Sequence, residues 1–350
     1  MSSITVKQHY VPRFYLKNFG NPVFVYDKMK GQMFKSNPKN VAFEPDFYGP
    51  DNKQLPSVEK AMAELEKKMS TAVSALIEKK NFYELSQQFQ KDLIMFLTMQ
   101  FLRTKQVRQD IAGMVNFIIN MYAESKGLKR DAVKLSRSGE TKHHLNLLAD
   151  WPAFATIIDA MKFCTIINGT PIPFWTSDNP VTNQNEYDQA PWGNMGLACK
   201  GIEIHLPLTP RIALVAMDPV MFREIPEVYE VYNKQHVIRE NFLQLINSSR
   251  FLFSNTKKFH LVKKMLEKNQ DLKDSKRTRF SVSTWKGKDG KKYVMNVTDN
   301  RRPPNKGQMM GELETWVPTE QVDKLFKYQD AMKEKLVKKK KHLKNNKAKS

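Results

Sequence analysis

Cysteine, long apolar runs and secretory features are scarce in this sequence. Cys164 and Cys199 are the two cysteines among 350 residues, so a disulfide framework is excluded and no metal-ligand spacing is present. The first ten residues, MSSITVKQHY, lack the apolar region of a secretory signal. The longest strongly apolar run, LIMFL, is far shorter than the ~20 residues that span a bilayer. We therefore expect a globular protein of the cytoplasm without a membrane span.

Known catalytic signatures are also missing. The sequence has no Walker loop, no G-x-S-x-G and no H-E-x-x-H. Carboxylates at Glu44, Asp46 and Asp178 could hold a hard cation in principle, but their spacing does not argue for one. His143 and His144 are adjacent in a polar stretch, where we expect solvated side chains. We expect neither a metal ion nor a cofactor.

Acidic residues are scarce near the C-terminus. Residues 257–350 contain 27 Lys and Arg against 11 Asp and Glu, so this segment carries +16 of the net charge of +21. Such a surface attracts nucleic acid, anionic lipid and acidic proteins through long-range electrostatics. A solubilising tail is the alternative interpretation. We predict nucleic acid or another polyanion as the partner of residues 257–350.

The patterns that are present predict an α+β protein: a mostly helical body around one long buried helix, a small antiparallel sheet and a basic C-terminal extension. Apolar spacing predicts a helix over residues 58–76 and a longer one from Ser86 to about Tyr122. VFVYDKMKGQMFKS predicts a hairpin, and KGIEIHLPLTPRIALVAM predicts two antiparallel strands. We assign the body to residues 1–256. The extension, residues 257–350, is expected to contain a hairpin at about 280–297 and a Lys-rich terminal helix.

The opening stretch QHYVPRFYLKNFG combines a histidine, an arginine and several aromatic residues. The aromatic residues can anchor the chain end in a core. His9 can exchange protons near neutral pH, although a lone histidine is more often a packed residue. Arg13 is harder to explain by packing, because a buried guanidinium needs a partner. We take His9 as a candidate catalytic residue, and Tyr10 and Arg13 as candidate substrate-binding residues.

Two polar residues interrupt the apolar run of the second helix. Gln100 and Arg103 are three residues apart and share a helix face after LIMFLTM. A guanidinium at the edge of a buried helix requires a carboxylate, backbone carbonyls or a bound anion. Arg103 is therefore a candidate catalytic residue, and Gln100 a candidate substrate-binding residue.

The segment WTSDNPV and a helix–strand junction supply the remaining candidates. Asp178 could project from a strand end as a catalytic or arginine-pairing carboxylate, with Ser177 beside it to bind substrate. An ordinary turn, in which these side chains bond nearby backbone N–H groups, is an equally good interpretation. Asn247 is a weaker substrate-binding candidate, because it can also be a helix C-cap.

These segments together resemble a known family. QHYVPRFYLKNFG, VYDK, NVAFEPDFYG, FLTMQFLRT, TSDNPV and LPLTP occur in the order and rough spacing of domain-of-unknown-function family 4238. The resemblance covers residues 7–256 and implies no established activity. The positions that match the family pattern are His9, Tyr10, Pro12, Phe14, Leu16, Phe19, Tyr48, Gln100, Arg103, Ser177, Asp178 and Pro180.

The candidate residues lead to two functional hypotheses. If His9, Arg103 and Asp178 meet in one pocket, arginine can bind phosphate oxygens and histidine can transfer a proton. That arrangement predicts a metal-independent nuclease or phosphodiesterase acting on nucleic acid, with phage defence or stress response as its setting. The alternative is a non-catalytic module that binds nucleic acid or senses a nucleotide, in which Arg103 and Asp178 form a structural pair.

Overall fold

A computed structural model describes residues 7–49, 58–125, 129, 134–185, 196–273, 280–286 and 292–299. Its helices are α1 (Arg13–Lys17), α2 (Val58–Lys79), α3 (Gln87–Leu102), α4 (Lys105–Ser125), α5 (Arg137–Ala149), α6 (Trp151–Asp159), α7 (Lys234–Asn247) and α8 (His260–Lys268). Its strands are β1 (Lys7–His9), β2 (Val23–Asp27), β3 (Gln32–Ser36), β4 (Phe43–Pro45), β5 (Lys162–Asn168), β6 (Thr176–Ser177), β7 (Thr182–Gln184), β8 (Glu203–Pro207), β9 (Ile212–Met217), β10 (Val228–Val231), β11 (Phe251–Ser254), β12 (Phe280–Lys286) and β13 (Lys292–Asp299). The mixed α+β class is confirmed.

The strands form more than the one small sheet expected from the sequence. A five-stranded sheet has the order β10-β5-β9-β8-β7 and a four-stranded sheet has the order β3-β2-β11-β6. The hairpin predicted in VFVYDKMKGQMFKS is β2–β3, and the LPLTP segment joins β8 to β9; both pairs are antiparallel. β10 pairs in parallel with β5. The larger sheet therefore draws on strands from residue 162 to residue 231.

The expected long helix is two helices. Ser86 caps α3, as the sequence predicted, by accepting a hydrogen bond from the Phe89 N–H at 3.3 Å. α3 ends at Leu102, and α4 begins at Lys105. The prediction of one continuous helix to Tyr122 is therefore wrong. Polar side chains at the break, Arg103 and Thr104, bond to other parts of the chain, and these bonds replace the helical continuation.

α3 supplies a large part of the core that supports the N-terminal segment. Leu93, Phe96, Leu97 and Leu102 are almost fully buried. The Phe96 ring contacts Phe14 and Tyr15 at centroid distances of 5.5 and 5.8 Å. These contacts fix α1 against α3, and so place the opening stretch beside the helix break.

The predicted boundary near residue 257 lies next to a packed element. Phe259 is buried and contacts the rings of Tyr26 and Trp175 at 5.4 and 5.8 Å. α8 follows and buries Val262 and Leu266. β12 and β13 pair antiparallel over residues 280–299. The division into a body and an extension stays a prediction, and the expected terminal helix lies outside the described residues.

Candidate functional site

Aromatic residues of the opening stretch anchor the N-terminal segment. Tyr15, Leu16 and Phe19 are completely buried. The Tyr15 hydroxyl donates to the Pro207 carbonyl at 2.5 Å and contacts the Thr176 hydroxyl at 2.6 Å. α1 is thereby tied to both large sheets, as β6 contains Thr176 and β8 contains Pro207. The anchoring role predicted for these aromatic residues is what the structure has.

His9 ends a short ribbon that carries local backbone strain. β1 pairs with β4, and His9 lies opposite Phe43. Ala42, directly before β4, has a φ of 52°, which a non-glycine residue seldom adopts. Its carbonyl accepts hydrogen bonds from the N–H groups of Tyr10 and Val11. Such strain persists only where the surrounding structure imposes it, so the position of His9 is firmly held.

The imidazole of His9 has one nitrogen without a partner. Nε2 is buried and forms no hydrogen bond. Burial and the charge of Arg13 lower the pKa of His9, while a backbone hydrogen bond at Lys39 and the charge of Glu66 oppose this effect. The ring is therefore neutral at pH 7, with an unoccupied acceptor or donor position.

Arg103 lies just beyond the last residue of α3 and points toward this ribbon. Its Nη2 donates to the His9 carbonyl at 2.7 Å and to Glu66 Oε1 at 2.7 Å. Its side chain is 2% exposed, while that of Glu66 is 24% exposed. The Arg103 Nε has no hydrogen-bond partner. The guanidinium thus keeps an unused donor although it is buried.

Gln100 lies on the same side of α3. Its Nε2 donates to the Tyr10 carbonyl at 3.2 Å, and its Oε1 has no partner. Gln100, Arg103, His9 and Tyr10 are therefore brought together. The contacts run through the backbone carbonyls of His9 and Tyr10 rather than through their side chains.

Asp178 has a different environment, and the predicted pairing with Arg103 is wrong. Its carboxylate accepts three backbone hydrogen bonds, from the N–H groups of Ser249 at 2.8 Å, Arg250 at 2.8 Å and Phe251 at 3.1 Å. Burial raises the pKa of Asp178, although these three bonds and the charge of Lys28 act against the rise. Since Asp178 is 1% exposed and fully bonded, it fixes the entry into β11.

Ser177 and Asn247 join the same buried polar network. Ser177 Oγ donates to Gln244 Oε1 at 2.8 Å. Asn179 donates from Nδ2 to the Asn247 carbonyl at 3.1 Å and accepts at Oδ1 from the Thr104 hydroxyl at 2.7 Å. The turn interpretation of TSDNPV therefore accounts for these residues. It also explains the helix break, because Thr104 is held by the turn while Arg103 is held by β1.

A basic groove lies next to Glu66, on the side away from Arg103. Its volume is about 590 Å³, and the described residues of its lining include four cationic side chains and one carboxylate: Arg13, Lys17, Lys39, Lys67 and Glu66. Arg13 and Lys17 are four residues apart on α1 and share a face. Asn37 positions Lys39 by accepting a hydrogen bond from its N–H at 3.1 Å. Three separate elements thus direct positive charge into one groove.

The chain matches an established family profile over most of its length. Residues 7–258 match the profile described as "Protein of unknown function (DUF4238)". The chain belongs to this family. No curated protein and no solved structure matches it. The DUF4238 match contains the groove, Arg103 and the TSDNPV turn, so all three lie within the family's own domain.

The sequence did not single out four of the five charged residues described in the groove lining: Lys17, Lys39, Glu66 and Lys67. Glu66 and Lys67 occupy polar positions of the amphipathic helix α2, where exposure to solvent is the ordinary expectation. Lys39 lies in a short 3-10 helix, Pro38–Asn40. Arg13 was the one groove residue among the candidates, because an arginine inside an aromatic stretch is unusual. The remaining groove residues become apparent only when α1 and α2 are placed side by side.

His144 corrects a further expectation for the DUF4238 chain. It lies on α5, is completely buried, and its Nε2 contacts the Leu102 carbonyl at 2.9 Å. Burial lowers the pKa of His144 to about 4 despite that bond. His143 next to it is exposed. The prediction of two solvated histidines is therefore wrong for His144, which packs edge-on against Phe47 at 5.5 Å.

Among the described residues, no group of three or more His, Cys, Asp or Glu side chains could hold a metal ion. Within the same part of the chain, no helix combines the length and the apolar character needed to cross a membrane.

Proposed function

We propose that this protein binds nucleic acid through its phosphate groups, and that the basic groove is the binding site. The observation that carries the proposal is the charge of the groove, which has four cations and one carboxylate in its lining. Lysine and arginine are the side chains that neutralise phosphates in nucleic-acid complexes. The protein's cytoplasmic location is part of the same proposal.

The local sequence of α1 favours a bound anion. Arg13 and Lys17 are like charges at positions i and i+4 of a helix of only five residues, a spacing that destabilises a helix when no anion lies between the charges. Lys39 and Lys67 add two more cations to the same groove. A phosphate in the groove would offset all of these repulsions at once.

The basic C-terminal extension would add affinity without sequence specificity. Lys257, Lys258, Lys263, Lys264 and Lys268 are exposed on and before α8. Phosphate contacts carry little base information, so we expect binding that depends strongly on salt and weakly on sequence. Removing residues 331–350 deletes nine lysines and one glutamate, which should weaken binding and lower its salt dependence. An unchanged affinity and salt slope would exclude this segment from binding.

The groove itself is tested by charge-removing variants of the full chain. Binding of a labelled single-stranded DNA and an RNA of the same sequence is measured by fluorescence anisotropy at several salt concentrations. Arg13→Ala and Lys67→Ala should each weaken binding several-fold and reduce the salt slope by about one. Lys68→Ala removes the same charge from a neighbouring exposed position of α2 that does not line the groove. Equal losses for Lys67→Ala and Lys68→Ala would refute the groove as the site. A mononucleotide tested as competitor distinguishes nucleotide sensing from strand binding.

A second candidate function is metal-independent phosphodiester cleavage. The observation that favours it is the neutral imidazole of His9, whose buried Nε2 has no partner. The charges of Arg13 and Glu66 affect the pKa of this imidazole, and both residues line the groove. A neutral imidazole can accept a proton from an attacking hydroxyl or water. Asp178 does not orient it in this scheme, because its carboxylate is bonded to the start of β11. Phage defence or stress response is the setting that we propose for such cleavage.

A cleavage assay decides between the two candidates. DNA and RNA are incubated with the full chain in the presence and absence of a chelator. If the protein is a nuclease of this type, cleavage persists with chelator and is lost in His9→Gln, while His143→Gln cleaves normally. If no substrate is cleaved but groove-dependent binding is measured, the protein acts by binding alone.

A further inference from the structure

Glu66 stands between the basic groove and the buried guanidinium of Arg103. Among the described residues that line the groove, its carboxylate is the single acidic group beside four cations. The same carboxylate lies 2.7 Å from Arg103 Nη2. Arg103 itself is 1% exposed and does not line the groove. The position nearest to Arg103 on the groove side is therefore occupied by an anion that belongs to the protein.

We propose, on the basis of the groove function above, that Arg103 is a phosphate-binding residue. Glu66 occupies its guanidinium in the absence of ligand, and a phosphodiester in the groove displaces the Glu66 carboxylate from it. Glu66 then acts as an internal substitute for the phosphate. It also sets specificity, because a neutral or cationic ligand cannot replace a carboxylate on a guanidinium.

The bonding of Arg103 fits this exchange. Its Nη2 donates to the His9 carbonyl as well as to Glu66, so the side chain stays fixed when the carboxylate leaves. Its Nε–H has no partner. A guanidinium presents its N–H groups in a fork that suits two phosphate oxygens. A phosphate therefore has both the vacated Nη2 position and an unused donor available.

The exchange requires Glu66 to move while Arg103 stays in place, and the exposure of the two side chains agrees with this. The Glu66 side chain is 24% exposed and sits on the groove face of α2, whereas that of Arg103 is 2% exposed. A change of Glu66 rotamer would carry its carboxylate into solvent and leave the backbone of α2 in place. Four cations around a single carboxylate attract a phosphate to the same place. The exchange thus needs one side-chain movement.

The test compares two charge-removing variants on the same helix. Glu66→Gln removes the competing carboxylate, and Glu64→Gln removes the same charge at an exposed position that does not line the groove. With the labelled single-stranded DNA as probe, Glu66→Gln should bind about tenfold more tightly than Glu64→Gln, the size expected for a hydrogen bond to a charged group. Equal affinities of the two variants would overturn the proposal.

Arg103 must be the source of the gain. In an Arg103→Gln background, the Glu66→Gln substitution should no longer tighten binding beyond the Glu64→Gln control. If Arg103→Gln fails to fold, arginine side-chain NMR spectra of the Glu66→Gln protein provide the second measurement, with the Arg103 signal assigned by its absence in Arg103→Lys. That Nε–H signal should shift on addition of the DNA. A gain that survives without Arg103, or a signal that does not move, would contradict the proposal.

The same measurements separate failure of this inference from failure of the groove proposal. If Arg13→Ala and Lys67→Ala weaken binding while Glu66→Gln equals its control, the groove binds phosphate and Arg103 takes no part. If the groove variants bind as well as the wild type, the groove function itself is refuted.

Discussion

Arg103 and Thr104 are neighbours at the same helix break, yet the two sides of the break are built differently. On the Thr104 side, the TSDNPV turn forms a closed network in which the carboxylate of Asp178 is bonded to three backbone N–H groups. On the Arg103 side, His9 Nε2, Gln100 Oε1 and Arg103 Nε are all buried without partners.

This difference separates structural polar residues from candidate ligand-binding residues. A buried polar group normally finds a partner, because leaving one unpaired is costly. The three unpaired atoms on the Arg103 side, next to a basic groove, agree with our proposal that an additional molecule completes the bonding there. Within TSDNPV itself, no buried side-chain nitrogen or oxygen lacks a partner, although Trp175 Nε1 and Thr182 Oγ1 on either side of it do. Polarity and burial alone do not distinguish these two sides, whereas the presence or absence of hydrogen-bond partners does.

The largest effect on stability is expected on the Thr104 side, at Asp178 of the TSDNPV turn. Asp178→Ala leaves three backbone N–H groups without an acceptor, and each buried unsatisfied donor costs roughly 1–3 kcal/mol. We expect a loss of at least about 3 kcal/mol in the free energy of unfolding, measured by urea denaturation. Asp159→Ala, at an exposed position, is the matched control and should change stability by less than about 0.5 kcal/mol. A stable Asp178→Ala protein would show that the turn does not depend on its carboxylate.

Acid should act near the end of α3, through His144, whose Nε2 contacts the Leu102 carbonyl. Its pKa is lowered to about 4 in the folded protein from the ordinary value of 6.5, so the unfolded chain binds the proton more readily. The neutral folded form therefore contributes its full stability above pH 6.5, and this contribution falls as the pH decreases from 6.5 toward 4. The total loss corresponds to about 3 kcal/mol.

The adjacent histidines provide the control for that titration. His144→Gln cannot be protonated and should remove much of the decline in stability between pH 6.5 and 4, as followed by urea denaturation at a series of pH values. His143→Gln, at the exposed neighbouring position, should leave the decline unchanged. The same acid dependence in both variants would mean that another group is responsible.

The sequence predicted the parts of this arrangement that depend on local patterns. The anchoring aromatic residues of the opening stretch, the start of α3 at Ser86 and the hairpin of VFVYDKMKGQMFKS each follow from short-range chemistry. The sequence also marked His9, Gln100 and Arg103 as candidate site residues. In each case an apolar environment made the polar residue conspicuous.

Hydrogen-bond partners that depend on tertiary packing could not be predicted from the sequence pattern. The apolar run from α3 to α4 contains no proline or glycine at residues 102–105, so a continuous helix was the natural expectation. The break arises because Arg103 and Thr104 bond in different directions. Glu66 pairs with Arg103 from an amphipathic helix whose polar face gives no sign of that role, and Asp178 satisfies backbone groups that are distant in sequence.

A smaller effect is expected at the link between the two sides. The Thr104 hydroxyl donates to Asn179 at 2.7 Å and accepts from the Val107 N–H at 3.3 Å, so it both holds the turn and begins α4. Thr104→Val keeps the shape of the side chain and removes both bonds. We expect a loss of about 1–2 kcal/mol in thermal unfolding experiments. Thr71→Val, at an exposed hydroxyl on α2, serves as control, and equal effects of the two substitutions would contradict the role of Thr104 at the break.

The smallest effect on stability is expected for Glu66→Gln, although it removes the charge nearest to a buried arginine. The glutamine Oε1 can still accept from Arg103 Nη2, and the His9 carbonyl remains bonded to the same nitrogen. Because the Glu66 side chain is 24% exposed, water screens the lost charge, and we expect a change of about 1 kcal/mol or less. Urea denaturation of Glu66→Gln and Glu64→Gln measures the difference. A loss of 3 kcal/mol or more, the size typical of breaking a fully buried ion pair, would mean that Arg103 cannot tolerate the departure of its partner. The Arg103 side would then depend on Glu66 as the turn depends on Asp178, and an incoming phosphate could not replace Glu66.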